Sequence, residues 1–442
     1  MRHSRLPRLH RPAQLMAVGL LATSLALTAC GAGSRTGAAT ATKVACDFTN
    51  PASATTVNVL AYNSSAVDPY SNTMVSSCTH DNVTVKHDPI DFAGQVQKTT
   101  ATLGGDTGTY DVVETYSFVV PDLASRGKLV DLDDLFAKHQ ATYKLDAIDK
   151  SLRDAMSYKG KLYGLPMQTQ VLTMVYRKDL FAKNNLTPPT TFAELRDDAK
   201  KLQDAGDMKY PIALPWSASS DISTAYKATL NSLGKNFVAE DGKTPNYSTP
   251  ESTKAFEEMK SLLPYMDPQV TTFDQPKVQQ QLYNGSAAIG IMFSGRMNDL
   301  VQQKNTKLFD QFAFAAPPAV EKGGKQYGAL SVDGWSIPFN TKVDQDLLFQ
   351  VIAASVSEDA SKASIPAAFP ARTGLDQSAS PYAAAAEKAI AGAPPAEAEP
   401  WVPPLTSATT DIIGSVILGK TSVAEGTQQM QAAGEKVMAT QK

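Results

Sequence analysis

Val57-Asn58-Val59-Leu60-Ala61-Tyr62, Val83-Thr84-Val85-Lys86 and Tyr110-Asp111-Val112-Val113 are the three runs whose reading decides the fold. Each is short and rich in β-branched or aromatic residues, as strands are. Between them lie stretches of helical character, one reaching Cys78 and one running from Phe92 to Leu103. Phe118 to Ser125 continues the alternation as a helix stopped by Gly127. Strands alternating with helices predict a parallel sheet covered by helices, an α/β fold. Such sheets bind ligands at the carboxyl ends of their strands. Here those ends are Tyr62-Asn63 and Thr115-Tyr116-Ser117.

Downstream, Lys161-Leu162-Tyr163-Gly164-Leu165-Pro166 and Val171 to Tyr176 predict two extended segments around a polar Gln168-Thr169-Gln170. Thr191-Phe192-Ala193-Glu194 is a capping box opening a helix that ends at Gly206. Tyr210 to Leu214 reads as a strand ending in Pro215-Trp216. Thr249-Pro250-Glu251 opens another helix, with proline where it is tolerated. Strands are expected again at Ala287 to Phe293, Phe312 to Ala315 and Trp335 to Phe339. Beyond Asp344 the chain reads almost wholly as helix. The breaks are Phe369-Pro370-Ala371-Arg372 and the proline-rich stretch from Pro394 to Pro404.

The N-terminus has a different character. Arg2, Arg5, Arg8 and Arg11 precede an apolar run, Leu15 to Leu27, that falls short of the ~20 residues a membrane span needs. Leu27-Thr28-Ala29-Cys30 resembles the lipobox of bacterial lipoproteins, whose cysteine becomes a lipidated N-terminus. The expectation is a signal peptide over 1–29, then lipidated Cys30 and a Gly/Ala/Ser/Thr-rich tether over 30–54. Removing the signal takes four arginines from 41 basic residues and nothing from 44 acidic ones, so the formal charge moves from −3 to −7. That balance argues against nucleic acid as a partner. The lipobox resemblance implies a protein outside the cytoplasm, anchored on the outer face of the cell membrane. There, Cys46 and Cys78 are expected to pair. About four hundred remaining residues exceed what one core usually serves, so two domains are expected.

Several of these segments carry a family resemblance: Lys161-Leu-Tyr-Gly-Leu-Pro, then Val175-Tyr176-Arg177-Lys178-Asp179-Leu180-Phe181, and Tyr283-Asn284-Gly285-Ser-Ala-Ala-Ile-Gly. Asp333-Gly334-Trp335 with Ile337-Pro338, and Pro370-Ala371-Arg372, follow in order. Together they resemble the extracellular solute-binding proteins of sugar-uptake ABC transporters, the maltose- and trehalose-binding family (family 1). The resemblance implies a two-lobed, type II periplasmic-binding-protein-like fold, with a hinge of crossing strands and a helical C-terminus. The first lobe is expected over 55–165 plus 312–343, the second over 166–311 plus 344–442. It also implies a monomer that holds a mono- or oligosaccharide between its lobes and delivers it to the permease subunits, with no cofactor and no catalysis.

A sugar presents C–H faces and a hydroxyl rim, so its site needs aromatic faces and convergent polar groups. The candidates are Tyr62, Asn63, Tyr116, Ser117, Gln168, Gln170, Trp216, Arg296, Gly334, Trp335, Arg372 and Trp401. Trp335 is expected to stack on the sugar, with Gly334 giving room and Arg372 bonding the rim. In the family the strand matching Tyr110–Val113 often ends in an acidic residue or Asn. Here that position is Tyr116, with Glu114 two residues earlier.

Other chemistries are weaker fits. Gly414 to Thr421 matches the P-loop pattern, but an apolar helix-like run precedes Gly419 where a strand is required. No HExxH, paired CxxC or EF-hand loop supports a metal site. The competing functions are a secreted cysteine-dependent transferase or hydrolase with Cys78 as nucleophile, and a binder of a non-sugar polar solute.

Overall fold

The computed structural model describes residues 43–394 and 397–441. The expected signal peptide and Cys30 lie outside the described residues. The strands are β1 (Thr55–Tyr62), β2 (Val83–Ile90), β3 (Val112–Tyr116), β4 (Ser157–Tyr158), β5 (Lys161–Leu162) and β6 (Leu165–Arg177). They continue as β7 (Ile212–Ala213), β8 (Ile289–Phe293), β9 (Phe312–Ala315), β10 (Leu330–Ser336) and β11 (Phe369–Pro370). The main sheet runs β2-β1-β3-β10-β6-β8-β7, with β9 and β11 also pairing on β6.

The two extended segments expected around Gln168-Thr169-Gln170 are one strand. β6 has 13 residues, spanning about 43 Å at ~3.3 Å per residue. Its burial is almost continuous, so it reads as an apolar run rather than an alternation. The first half pairs with β10 and β11, the second with β8 and β9. Each half belongs to a different core. Val57, Val59, Met74, Leu165 and Met167 lie in the first, and Leu172, Met174, Leu195, Ile289 and Ile291 in the second.

In the first lobe β1 runs parallel to β2 and β3, so their carboxyl ends share one edge. In the second, β7 is parallel to β8. Local signals hold the covering helices. Asp91 caps Phe92–Gly104 by accepting from the Gly94 N–H at 2.7 Å, and Thr249 caps Pro250–Leu262 through Ser252 at 3.1 Å. The Thr191 box is half-formed. Thr191 Oγ1 accepts from the Glu194 N–H, but the Glu194 carboxylate reaches Thr190 N–H at 2.7 Å.

Two expected lobe assignments change. Phe312–Ala315 pairs with Met174–Arg177, which puts it in the second lobe. Helix Gln345–Ser355 packs into the first core through Leu347, Leu348, Phe349, Val351 and Ile352. Leu347 to Ser355 is buried throughout, so this helix needs cover on every side. It finds that cover against helices Asp68–Cys78 and Asp133–Tyr143, where His139 stacks on Phe349 at 5.8 Å. β10 also begins five residues before the expected strand, because Asp333 and Gly334 broke its apolar pattern. A bulge between those two residues accommodates them.

Cys46 and Cys78 form a disulfide, their Cα atoms 5.4 Å apart. Closing a loop of this length stabilises by roughly 3–4 kcal/mol on chain-entropy grounds. It also ties up the sulfur that a Cys78 nucleophile would need. The P-loop pattern fails as well. Gly414 lies inside helix Val402–Ile417, and Gly419 ends it at φ +72°, with the Gly419 N–H donating to Val416 O at 3.0 Å. The final helix, Val423–Met438, is capped by Ser422.

Packing overturns three expectations about ligand contacts. Trp335 is 0% exposed and sits in the first core, opposite Glu114 across the β3–β10 pair. Gly334 admits backbone rather than ligand, since a Cβ there would lie 2.6 Å from Leu165 O. Arg372 spends its guanidinium on helix ends. It donates to the carbonyls of Val356, Lys144 (2.9 Å) and Tyr143 (2.7 Å), closing the last turns of two helices. We expect Trp335→Ala to destabilise the protein by about 3–5 kcal/mol, as for a core aromatic, in urea titrations of the ligand-free protein.

Candidate functional site

The carboxyl edge of the first-lobe sheet carries a row of aromatic rings. Tyr62, the last residue of β1, meets Phe92 edge-on at 6.0 Å. Phe92 lies 5.6 Å from Tyr116, the last residue of β3, and Tyr116 stacks on Phe118 at 5.4 Å. Phe92 is 37% exposed while Tyr62 and Phe118 are half-buried, so the row keeps free ring surface. Its position follows from topology: strand ends and the first residue of a capped helix fall on the same edge.

Beside the row is a buried polar cluster. Glu114 Oε2 accepts from the Tyr62 N–H at 2.7 Å, and Gln95 Nε2 donates to Glu114 O at 2.8 Å. Glu114 is 1% exposed and its Oε1 has no hydrogen-bond partner. Burial holds its carboxyl well above the usual range, and the Asp333 and Asp68 carboxylates push the same way. Asp333 accepts from Gln168 Nε2 at 3.1 Å and from Ser331 Oγ at 2.9 Å. Burial raises it to about 6 against the pull of those bonds. Gln168 is 0% exposed and its Oε1 is unpartnered.

The second lobe meets this edge through the turn after β8, Ser294–Arg296. Gln170 on β6 accepts from the Gly295 N–H at 2.8 Å and from Ser294 Oγ at 3.3 Å. A Cβ on Gly295 would lie 2.9 Å from Ala66 Cβ, so the glycine lets the turn close on the first lobe. Arg296 sets its guanidinium 5.6 Å above the Tyr62 ring, a cation–π contact between lobes, and donates to Gln279 Oε1 at 3.0 Å. Burial lowers Arg296 to about 10, opposed by the Asp299 carboxylate. The parallel neighbour β7 ends on the same second-lobe edge. There Ser217 and Ser220 donate to Asp221, raised to about 6 by burial, and Gln275 joins Asp221 to the Phe293 N–H.

Of the expected residues, Tyr62, Tyr116, Gln168, Gln170 and Arg296 converge here. Asn63 adjoins them, its N–H bonded to Ile90 O at 2.8 Å. Ser117 instead pins β10, its Oγ accepting from the Val332 N–H at 3.1 Å. Trp216 is buried in the second core, and Trp401 packs half-buried against that core. Neither indole joins the aromatic row. Sequence reasoning missed Phe92, Phe118 and Asp299. Phe92 carries a usable signal: an aromatic directly after a capping aspartate, just past a strand.

Residues 78–360 match the family described as bacterial extracellular solute-binding proteins. The chain belongs to that family. Among curated relatives, the mannitol-binding protein of Pseudomonas aeruginosa is 28% identical over 233 residues, 51% of this chain and 52% of its own length. The maltotriose-binding protein of Pyrococcus abyssi is 29% identical over 176 residues, 40% of this chain and 35% of its own length. The chain thus matches about half or less of those relatives. Solved structures match more widely. A ribitol-bound ABC transporter solute-binding protein of Agrobacterium radiobacter K84 superposes with a TM-score of 0.77 at 21% identity, over 88% of this chain and 100% of that one. The maltose-bound T. maritima MalE3 gives 0.76 at 16%, over 86% and 99%. At such identities the likeness establishes the fold: two α/β lobes of the periplasmic binding type.

The raised Asp333 carboxyl makes stability pH-dependent. The folded protein retains a proton there between the ordinary carboxylate value near ~4 and about 6, so stability falls as pH rises through that window. Asp333→Asn removes the buried charge, and its Oδ1 can still accept from Gln168 Nε2. We expect the variant to gain roughly 1–2 kcal/mol at pH 8 and nothing near pH 4, read from urea titrations at both values.

Proposed function

We propose that this protein captures a carbohydrate, a mono- or oligosaccharide, between its two lobes and delivers it to the permease of an ABC transporter. The observation that carries the reading is the Tyr62–Phe92–Tyr116–Phe118 row, flanked by buried polar groups at a strand edge that both lobes reach. Rings receive the C–H faces of a sugar, and Gln168, Gln170 and the carboxyl groups suit its hydroxyl rim. The mannitol, maltotriose, ribitol and maltose named for the relatives are consistent with it. Micromolar affinity requires only about −8 kcal/mol, within reach of a few such contacts. The ligand stabilises the closed arrangement by touching both lobes.

The protein acts as a monomer, outside the cytoplasm. Its anchor is the lipid on Cys30, released from the signal at Leu27-Thr28-Ala29, and the tether to the lobes is shorter than the expected 30–54, because Cys46 and Phe48 pack in the first core. No described helix is long and apolar enough to cross a membrane. We expect Cys30→Ser to move the expressed protein from the membrane fraction to the soluble fraction, read by immunoblot. An unchanged membrane fraction would contradict the anchor.

A thermal-shift and calorimetry panel of D-mannitol, ribitol, D-glucose, maltose and maltotriose tests the binding reading. A ligand at a hundredfold over its dissociation constant stabilises by about 2.7 kcal/mol. Phe92→Ala should weaken the tightest binder roughly ten- to a hundredfold while leaving unfolding nearly unchanged, because the ring is already partly exposed. Full affinity in that variant would remove the aromatic row from the site.

A further inference from the structure

The polar side of the site is short of hydrogen-bond donors. Glu114 Oε1 and Gln168 Oε1 have no hydrogen-bond partner, on residues more than nine-tenths buried. Asp333 is an acceptor pair held by Ser331 and Gln168, and the Asp68 and Asp333 carboxylates act electrostatically on Glu114. No group of three such side chains among the described residues is close enough to hold a metal ion. The two guanidinium groups near the cluster are committed. Arg372 bonds three backbone carbonyls, and Arg296 lies on the Tyr62 ring, bonds Gln279 and feels Asp299. An anion entering here would meet the buried Asp333 and Glu114 carboxyl groups, while the Arg296 charge beside them is already opposed by Asp299. A ligand hydroxyl would supply the donor that Gln168 Oε1 lacks, and can pair with the Glu114 carboxyl as donor or acceptor.

We infer that the site selects donor-rich neutral or cationic sugars and rejects anionic ones, such as sugar phosphates and uronates. This rests on the sugar-binding reading and narrows it. Like-charge contacts in a buried site discriminate strongly against an anionic ligand.

The test is calorimetry at pH 7.5 on matched sets. These are D-glucose, D-glucosamine, D-glucuronate and D-glucose 6-phosphate; D-mannitol and D-mannitol 1-phosphate; and maltose and maltose 1-phosphate. For any set whose neutral member binds, we expect the anionic members at least tenfold weaker and the amino sugar within tenfold. Anionic members bound within tenfold of the neutral one, or bound alone, would overturn the selectivity while leaving sugar binding intact. Binding by no member would overturn both. In Glu114→Gln/Asp333→Asn, or in Asp333→Asn alone should the double variant not fold, the gap between neutral and anionic members should shrink at least threefold. An unchanged gap would overturn the assignment to these carboxyl groups.

Discussion

One strand holds the two halves of this molecule in register. β6 contributes Leu165–Val171 to the first lobe's sheet and Leu172–Arg177 to the second's, with no loop between. A backbone that is hydrogen-bonded on both sides in each half cannot slide without breaking both ladders at once. What remains free is twist and bend near Gln168-Thr169-Gln170. Those residues also bond Asp333 on β10 and Gly295 on the second-lobe turn. The link between lobes and the floor of the site are therefore the same piece of chain. A ligand touching that floor acts directly on the angle between the lobes.

The site concentrates unfavourable electrostatics that the rest of the fold must outweigh. Glu114, Asp299 and Asp333 all have carboxyl values raised by burial, and acceptor atoms on Glu114 and Gln168 go unmatched. Two well-filled cores and the Cys46–Cys78 bridge supply the compensating stability. Sites that break local rules in this way are where binding energy is gained, since the ligand completes bonds the protein leaves unmade.

Much of this was legible in the sequence where the signal was local. The βα alternation gave β1 to β3, the capping aspartate and threonines marked helix starts, and the paired cysteines implied their bridge. Strand-end logic pointed to Tyr62 and Tyr116, and the polar break between two extended segments to Gln168 and Gln170. The failures were all tertiary. A Gly-Trp pair reads as a ligand platform until one knows that the glycine admits a neighbouring backbone and the indole fills a core. Arg372 reads as a rim donor until its three carbonyl partners are visible. No periodicity says that helix Gln345–Ser355 returns to the first lobe, since Leu347 to Ser355 is buried throughout and leaves no single face to point with.

The central claim is that the lobes hinge on β6 and close on a sugar. Spin labels at Lys86 in the first lobe and Asp204 in the second, both exposed, report it through their distance distribution by pulsed electron resonance. The account predicts a broader, longer distribution without ligand that collapses to one short distance with the tightest-binding neutral sugar. A distance unchanged by a saturating ligand would contradict it.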